Sequence, residues 1–264
     1  MAFYKKILYT PGMKDAFKLS RSKIDLFVEC PRCFYLDRRL GVGRPQGFPF
    51  NLNSAVDLLL KKEFDAHRKD KTPHPYMVEN NIKAIPFSHA QMDVWRENFV
   101  GAQVQFPEAN FLITGAVDDI WIYTDGDDKD KLIIVDYKAT SKDGEITLDA
   151  EWQDGYRRQM EIYQWIFRKL GFDVADTGYF VYANGLRDKP GFDNKLEFSI
   201  KTFAHKGDTS WIEKTLMAAK ACLDDDRIPK EKESCDYCKY RNNAGIAFKT
   251  HSENIVKKGK TIFE

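Results

Sequence analysis

Apolar and polar residues alternate along this chain in two rhythms, and the switch between them marks where helices give way to strands. In SKIDLFVECPRCFYLDRRL (22–40), Ile24, Phe27 and Val28 fall on one side of a helix, with Ser22 as its cap, Asp25 in its first turn and Pro31 as the point where it kinks or restarts. A Gly- and Pro-rich loop over 41–50 leads to a second helix in NSAVDLLLKKEFDAHRK (53–69), where Val56, Leu59, Leu60 and Phe64 recur at helical spacing. Prolines interrupt 72–110, with one helix predicted in SHAQMDVWRENFV (88–100). From Phe111 to Tyr123 and again from Lys131 to Tyr137 the residues are largely β-branched and aromatic, which predicts a β-hairpin closed by TDGDDKD. GYRRQMEIYQWIFRKLG (155–171) returns to helical spacing, with Tyr156, Met160, Tyr163, Ile166, Phe167 and Leu170 on one side and Gly171 as the stop. TGYFVYA (177–183) and KLEFSIKTF (195–203) read as strands, TSWIEKTLMAAKACL (209–223) as the last helix, and a cysteine-bearing tail follows.

Composition narrows the class. With 264 residues, 43% of them hydrophobic, the chain can bury a substantial core, and one large domain is expected. Charged residues make up 31% and nearly cancel to +1, so no global basic field points to nucleic acid, although a local basic groove remains compatible with that count. The start, MAFYKKILYT, lacks the apolar stretch of a secretory signal, and no apolar run is long enough to span a bilayer, so a soluble cytoplasmic protein is expected. No phosphate-cradling GxxxxGK[ST] occurs, which excludes an ATP-driven motor of that type.

The hairpin itself carries candidate chemistry. With its turn centred near Asp127, Asp118 and Asp136 are equally distant from the turn and pair across the strands, so their carboxylates share a face. Like charges so placed repel unless a cation sits between them. Lys138, two residues beyond Asp136, returns to the same face, whereas Tyr137, Val117 and Val135 point the other way. Two carboxylates and an amine form a hard-oxygen site suited to Mg²⁺ or Mn²⁺ and to phosphodiester hydrolysis.

GAVDD (115–119), IIVDYKAT (133–140) and QMEIY (159–163) stand in the order and spacing of the GxxD, (D/E)xK and QxxxY motifs, and on these the chain resembles the RecB-like nucleases of the PD-(D/E)XK superfamily. The resemblance implies that Asp118 and Asp136 bind the metal, that Lys138 assists the nucleophile, and that Gln159 and Tyr163 contact DNA or the active site. Gln159 and Tyr163 are also one helical turn apart and so share a face. RecB-like enzymes usually supply a histidine from an earlier helix. Here Asp57 occupies that place, open either to metal ligation or to an N-terminal role on its helix. Glu63 is the other acid within reach, and His67 lies too far along.

Cys30 and Cys33 form one CxxC and Cys235 and Cys238 another, a pattern that predicts one tetrathiolate metal site, with Cys222 left as a buried thiol. ECPRCFYL and CDYCKYR resemble segments of the iron-sulfur nucleases related to AddB and to the CRISPR-associated RecB-like exonucleases, which use one upstream and three downstream cysteines. This chain has two of each, so both a [4Fe–4S] cluster and a structural Zn²⁺ stay open.

The resulting expectation is an α/β restriction-endonuclease-like core, a mixed central β-sheet flanked by helices, forming one nuclease domain over 1–264. Its function would be metal-dependent hydrolysis of DNA, single-stranded or at duplex ends, with Lys142, Arg157 and Arg158 guiding the backbone and a helicase or other repair or defence protein as partner. The rival readings are an inactive nucleic-acid-binding module and a metal-clasped scaffold within a repair or defence complex.

Overall fold

The computed structural model describes residues 7–45, 47, 50–148, 150 and 153–257, so part of the loop expected over 41–50 lies outside the described residues. β1 (Phe17–Ser20) runs straight into α1 (Arg21–Glu29). The helix therefore begins ahead of Ser22, which lies in its first turn with its hydroxyl 3.0 Å from that of Ser20. Ile24 and Leu26 are the buried residues of α1, while Phe27 and Val28 are half-buried. Pro31 restarts the chain as α2 (Pro31–Arg38), where its missing N–H falls in a first turn that needs no donor.

In α3 (Asn51–Asp70) Leu60 and Phe64 are buried, but Leu59 is 59% exposed, so the buried stripe is narrower than the apolar positions imply. The next segment holds α4 (Pro75–Glu79), β2 (Ala84–Pro86), α5 (Met92–Arg96) and β3 (Ala102–Phe106). Only α5 was expected, and it is shorter than predicted because Glu97 turns extended. β2 is too short to show alternation and forms against β5, whereas β3, AQVQF, a strand that sequence reasoning missed, does alternate and pairs antiparallel with β4.

The apolar run from Phe111 to Tyr123 is not one strand. It divides into β4 (Phe111–Gly115) and β5 (Asp119–Tyr123), which enter different sheets. Three strands order as β1-β4-β3, with β1 parallel and β3 antiparallel to β4. The other sheet joins β2, β5, β6 (Leu132–Thr140), β7 (Thr177–Gly185) and β8 (Phe198–Lys206) in that order, with β6 and β7 its one parallel pair. A parallel pair needs a crossover, and α6 (Asp154–Lys169) provides it. α7 (Ile212–Asp224) follows, and the tail, expected only to bear cysteines, forms α8 (Asp236–Lys257). This is a mixed α/β fold with a mixed sheet flanked by helices, as expected of a restriction-endonuclease-like core. Among the described residues no helix is long and apolar enough to cross a membrane.

The chain divides into two compact units, one from 1–14, 23–46 and 215–264, the other from 15–22 and 47–214. In the second unit, odd-numbered residues of β6 face α3: Ile133, Val135 and Tyr137 pack with Leu60, Phe64 and Trp121, and the Phe64 ring stacks on Trp121 at 5.3 Å. Even-numbered residues face α6, where Gly178 leaves room for Met160 that a Cβ would fill. Burying Phe64 completely is worth about 2–3 kcal/mol.

Candidate active site

The ladder from Asp119–Val135 through Ile122–Leu132 has the register that the hairpin arithmetic requires. Asp118 lies one residue ahead of β5, and its Oδ2 accepts the Tyr137 N–H at 2.9 Å, which ties its carboxylate to β6 beside Asp136. Asp136 is fully buried in the middle of the sheet. Its Oδ1 accepts from Gln159 Nε2 at 2.7 Å, and its Oδ2 pairs with the Lys138 ammonium. Burial pushes the Asp136 carboxyl up to about 6, with Lys138 opposing the rise and Asp118 adding to it. For Lys138, burial favours the neutral amine, but Asp136 and Asp118 outweigh it and hold the ammonium above its ordinary value. That ammonium also sits 4.5 Å from the centre of the Tyr156 ring.

Gln159 and Tyr163 share a face of α6 as their spacing requires, with Gln159 Nε2 3.3 Å from the Tyr163 hydroxyl. The tyrosine ring fits because of Gly115: a Cβ there would stand 2.6 Å from Tyr163 Cε1. The first and third motifs thus meet physically. Burial raises the Tyr163 phenol, and Arg21, 6.0 Å from the ring centre, works against the rise.

Asp57 reaches the site, but not alone. Lys61, one turn further along α3, places its Nζ 2.8 Å from Asp57 Oδ2 and 3.5 Å from Asp118 Oδ1. Burial and then Asp118 raise the Asp57 carboxyl, while Asp118 and Asp57 together overcome burial to raise Lys61. Glu63 is 57% exposed near His74, and His67 bonds Thr72, so neither joins the site. Lys142 is exposed, and Arg157 is bound to Asp154 and the Leu148 carbonyl, which makes it an anchor for the loop before α6. Arg158 is half-buried. Sequence reasoning missed Lys61, Tyr156 and Arg21 as neighbours of the acids. The i,i+4 spacing of Asp57 and Lys61 was the available signal, whereas Arg21 offered none.

Asp119, next to Asp118, has the opposite fate. It faces α3, fully buried, accepting from Tyr137 Oη at 2.7 Å, from Arg96 Nη2 at 2.9 Å and from Arg68. Strand alternation separates an acid that is wholly compensated from one that is not.

The acids Asp118 and Asp136 offer hard oxygens, and Asp57 Oδ1 is buried without a hydrogen-bond partner, so the donor chemistry fits a divalent ion such as Mg²⁺. Among the described residues, Asp57, Asp118 and Asp136 do not bring three carboxylate oxygens within 4.8 Å of one another, and the Lys61 ammonium bridges two of them.

The cysteines do converge. Cys30, Cys33, Cys235 and Cys238 are buried with all four sulfurs within 4.8 Å of one another. Each CxxC opens a helix, with Cys30 capping α2 and Cys235 directly preceding α8. Burial raises the Cys30 thiol, but backbone N–H groups of Lys232 and Cys33 and the neighbouring Cys235 and Cys238 outweigh it and bring it down to about 7. Cys222, half-buried rather than buried, is pushed up to about 11 by burial with Asp225 adding.

Among solved structures, one titled "Crystal structure of SSO0001" aligns with 82% of this chain and 81% of its own at 15% identity, with a TM-score of 0.37. No curated protein matches the sequence. The family model of the PD-(D/E)XK nuclease superfamily, by contrast, matches residues 18–243, a span that holds the Asp118, Asp136, Lys138 cluster and all four clustered cysteines. The chain belongs to the PD-(D/E)XK nuclease superfamily.

Proposed function

We propose that this chain is a RecB-like nuclease that hydrolyses DNA phosphodiester bonds with Mg²⁺ or Mn²⁺ held by Asp118 and Asp136. The observation that carries this reading is the meeting of those two acids and Lys138 on one face of the mixed sheet, where Asp136 is fully buried. A buried carboxylate at the centre of a sheet is costly, and with Asp118 beside it the two acids carry more negative charge than Lys138 alone offsets, which a bound dication would compensate.

The ion supplies charge neutralisation at the scissile phosphate and acidifies a bound water. The side chains do the positioning. Gln159 holds Asp136 Oδ1, which leaves Oδ2 on the Lys138 side. Lys138, kept protonated by its two acids and steadied by the Tyr156 ring, presents a cation to the phosphate and orients the attacking water. Asp57, whose Oδ1 is buried without a hydrogen-bond partner, would be a further ligand if Lys61 gave up its contacts. Gln159, half-buried, lines the approach of the nucleic acid, and the buried Tyr163 beside it holds it in place.

Because the family match spans both units, we take residues 1–264 as one nuclease domain. The RecB-like resemblance supports single-stranded DNA or duplex ends as substrate, a cytoplasmic location and a helicase or other repair or defence protein as partner.

Incubating the purified chain with single- and double-stranded DNA in Mg²⁺ or Mn²⁺ tests the proposal. Cleavage is expected, abolished by chelation and reduced by about 10³-fold or more in Asp136→Ala and in Lys138→Ala. Binding without cleavage would instead mark an inactive binding module. Neither binding nor cleavage would mark a scaffold.

A further inference from the structure

The spacing of the four sulfurs discriminates between the two groups that four cysteines can hold. Cys30 and Cys238 are 3.8 Å apart, Cys33 and Cys238 3.7 Å, and Cys33 and Cys235 3.6 Å, and none of the four lies beyond 4.8 Å from another. Four thiolates around one zinc at about 2.3 Å form a tetrahedron whose edges are about 3.8 Å. In a [4Fe–4S] cluster each thiolate ligates a different iron at a corner of the cube, so the sulfurs stand outside it, roughly 6 Å apart. The cage formed by the four sulfurs matches the first figure and is too tight for the second.

Local structure agrees. Each CxxC places one sulfur at the start of a helix and the other in its first turn, so each pair chelates one ion with little backbone adjustment. Four thiolates on a dication leave a net charge of −2, and the surrounding groups offset it: Arg44 Nη2 donates to Cys235 Sγ at 3.6 Å, and the backbone N–H groups of Lys232 and Cys33 donate to Cys30. Arg44 is itself held by Glu29 at 2.5 Å and lies over the Tyr237 ring. We infer that Cys30, Cys33, Cys235 and Cys238 bind a single tetrahedral Zn²⁺ as a structural centre, and that this chain departs from the iron-sulfur nucleases whose cysteine segments it resembles. Binding exchanges the thiol protons for the ion, with no redox step.

Elemental analysis and an absorption spectrum of anaerobically purified chain give the first reading. About one zinc per chain, no acid-labile sulfide and no visible absorption are expected. Roughly four irons with sulfide and a broad visible band would overturn the inference. Chain stripped of metal and titrated with Co²⁺ gives the second. It should show the intense visible bands of a tetrahedral tetrathiolate, saturating at about one equivalent and displaced by Zn²⁺. A weak octahedral spectrum would overturn the inference, whatever the purified chain contained. Cys33→Ser should lose the zinc and Cys222→Ser keep it. If Cys33→Ser fails to fold, the Co²⁺ titration of the unsubstituted chain still decides. Asp136→Ala should retain zinc in full, so the centre and the nuclease reading stand or fall separately.

Discussion

Lys61 bears directly on how Asp57 and Asp118 behave. Its ammonium lies within 3.5 Å of both Asp57 and Asp118, the place a metal ion would contest, and with Lys138 it offsets most of the charge of Asp57, Asp118 and Asp136. A site already compensated in this way is expected to bind a dication weakly. Removing the ammonium should reverse that balance. Calorimetric titration is expected to show Mn²⁺ binding to Lys61→Met at least about tenfold more tightly than to the unsubstituted chain, since one unit charge a few ångströms away is worth several kcal/mol at an effective dielectric near 20. Equal or weaker binding would mean that Lys61 supports the ligands rather than competing with the ion.

Contacts between elements position these residues. β4 and α6 touch where Gly115 faces Tyr163, so Gly115→Ala must push the ring aside and, through it, Gln159 and Asp136. Cleavage is expected to fall about 10–100-fold, as misplacement by about an ångström does elsewhere, while the melting temperature drops by only a few degrees; unchanged kinetics would show the fit to be loose. α3 and α4 meet at His74, stacked on Phe64 at 4.1 Å and accepting the Tyr76 N–H at its Nδ1. Burial, with His67 nearby adding and Asp119 opposing, holds His74 down to about 4. Below about 6.5 the unfolded chain takes up a proton that the folded one refuses until about 4, so stability should fall as pH drops through that window, by up to about 3 kcal/mol. Asp136, held up to about 6, works in the opposite sense, because the folded chain gains that proton first. The difference between denaturation curves of the unsubstituted chain and His74→Asn, taken across pH 4–7, isolates the histidine. No difference in slope would mean that His74 is free to charge in the folded state.

For the molecule as a whole, a net charge of +1 limits the electrostatic share of nucleic-acid binding. Of the three basic residues expected to guide the backbone, Arg157 is already committed to Asp154 and Leu148, leaving few cations for phosphates. Anisotropy titrations of single-stranded DNA in non-cleaving Ca²⁺ should therefore give a shallow dependence of log affinity on log salt, with a slope of about −2 to −3. A slope steeper than about −6 would reveal a phosphate track that the charge count hides.

Much of the geometry of the candidate site was legible in the sequence because it is local. Alternation along β6 and the hairpin register place Asp118, Asp136 and Lys138 together, and one helical turn joins Gln159 to Tyr163, whatever the rest of the chain does. Paired CxxC spacing likewise announced that Cys30, Cys33, Cys235 and Cys238 would cluster. Tertiary structure alone decided the rest. The run from Phe111 to Tyr123 splits between two sheets because, beside their near neighbours β3 and β6, β4 also pairs with β1 and β5 with β2, strands that lie well before it in the chain. Asp119 is wholly compensated and Asp118 only in part because Arg68 and Arg96 arrive from separate helices on one face, whereas Lys61 alone reaches Asp118 on the other. Spacing cannot measure the distance between sulfurs contributed by opposite ends of the chain, and that distance is what separates a single ion from a cluster.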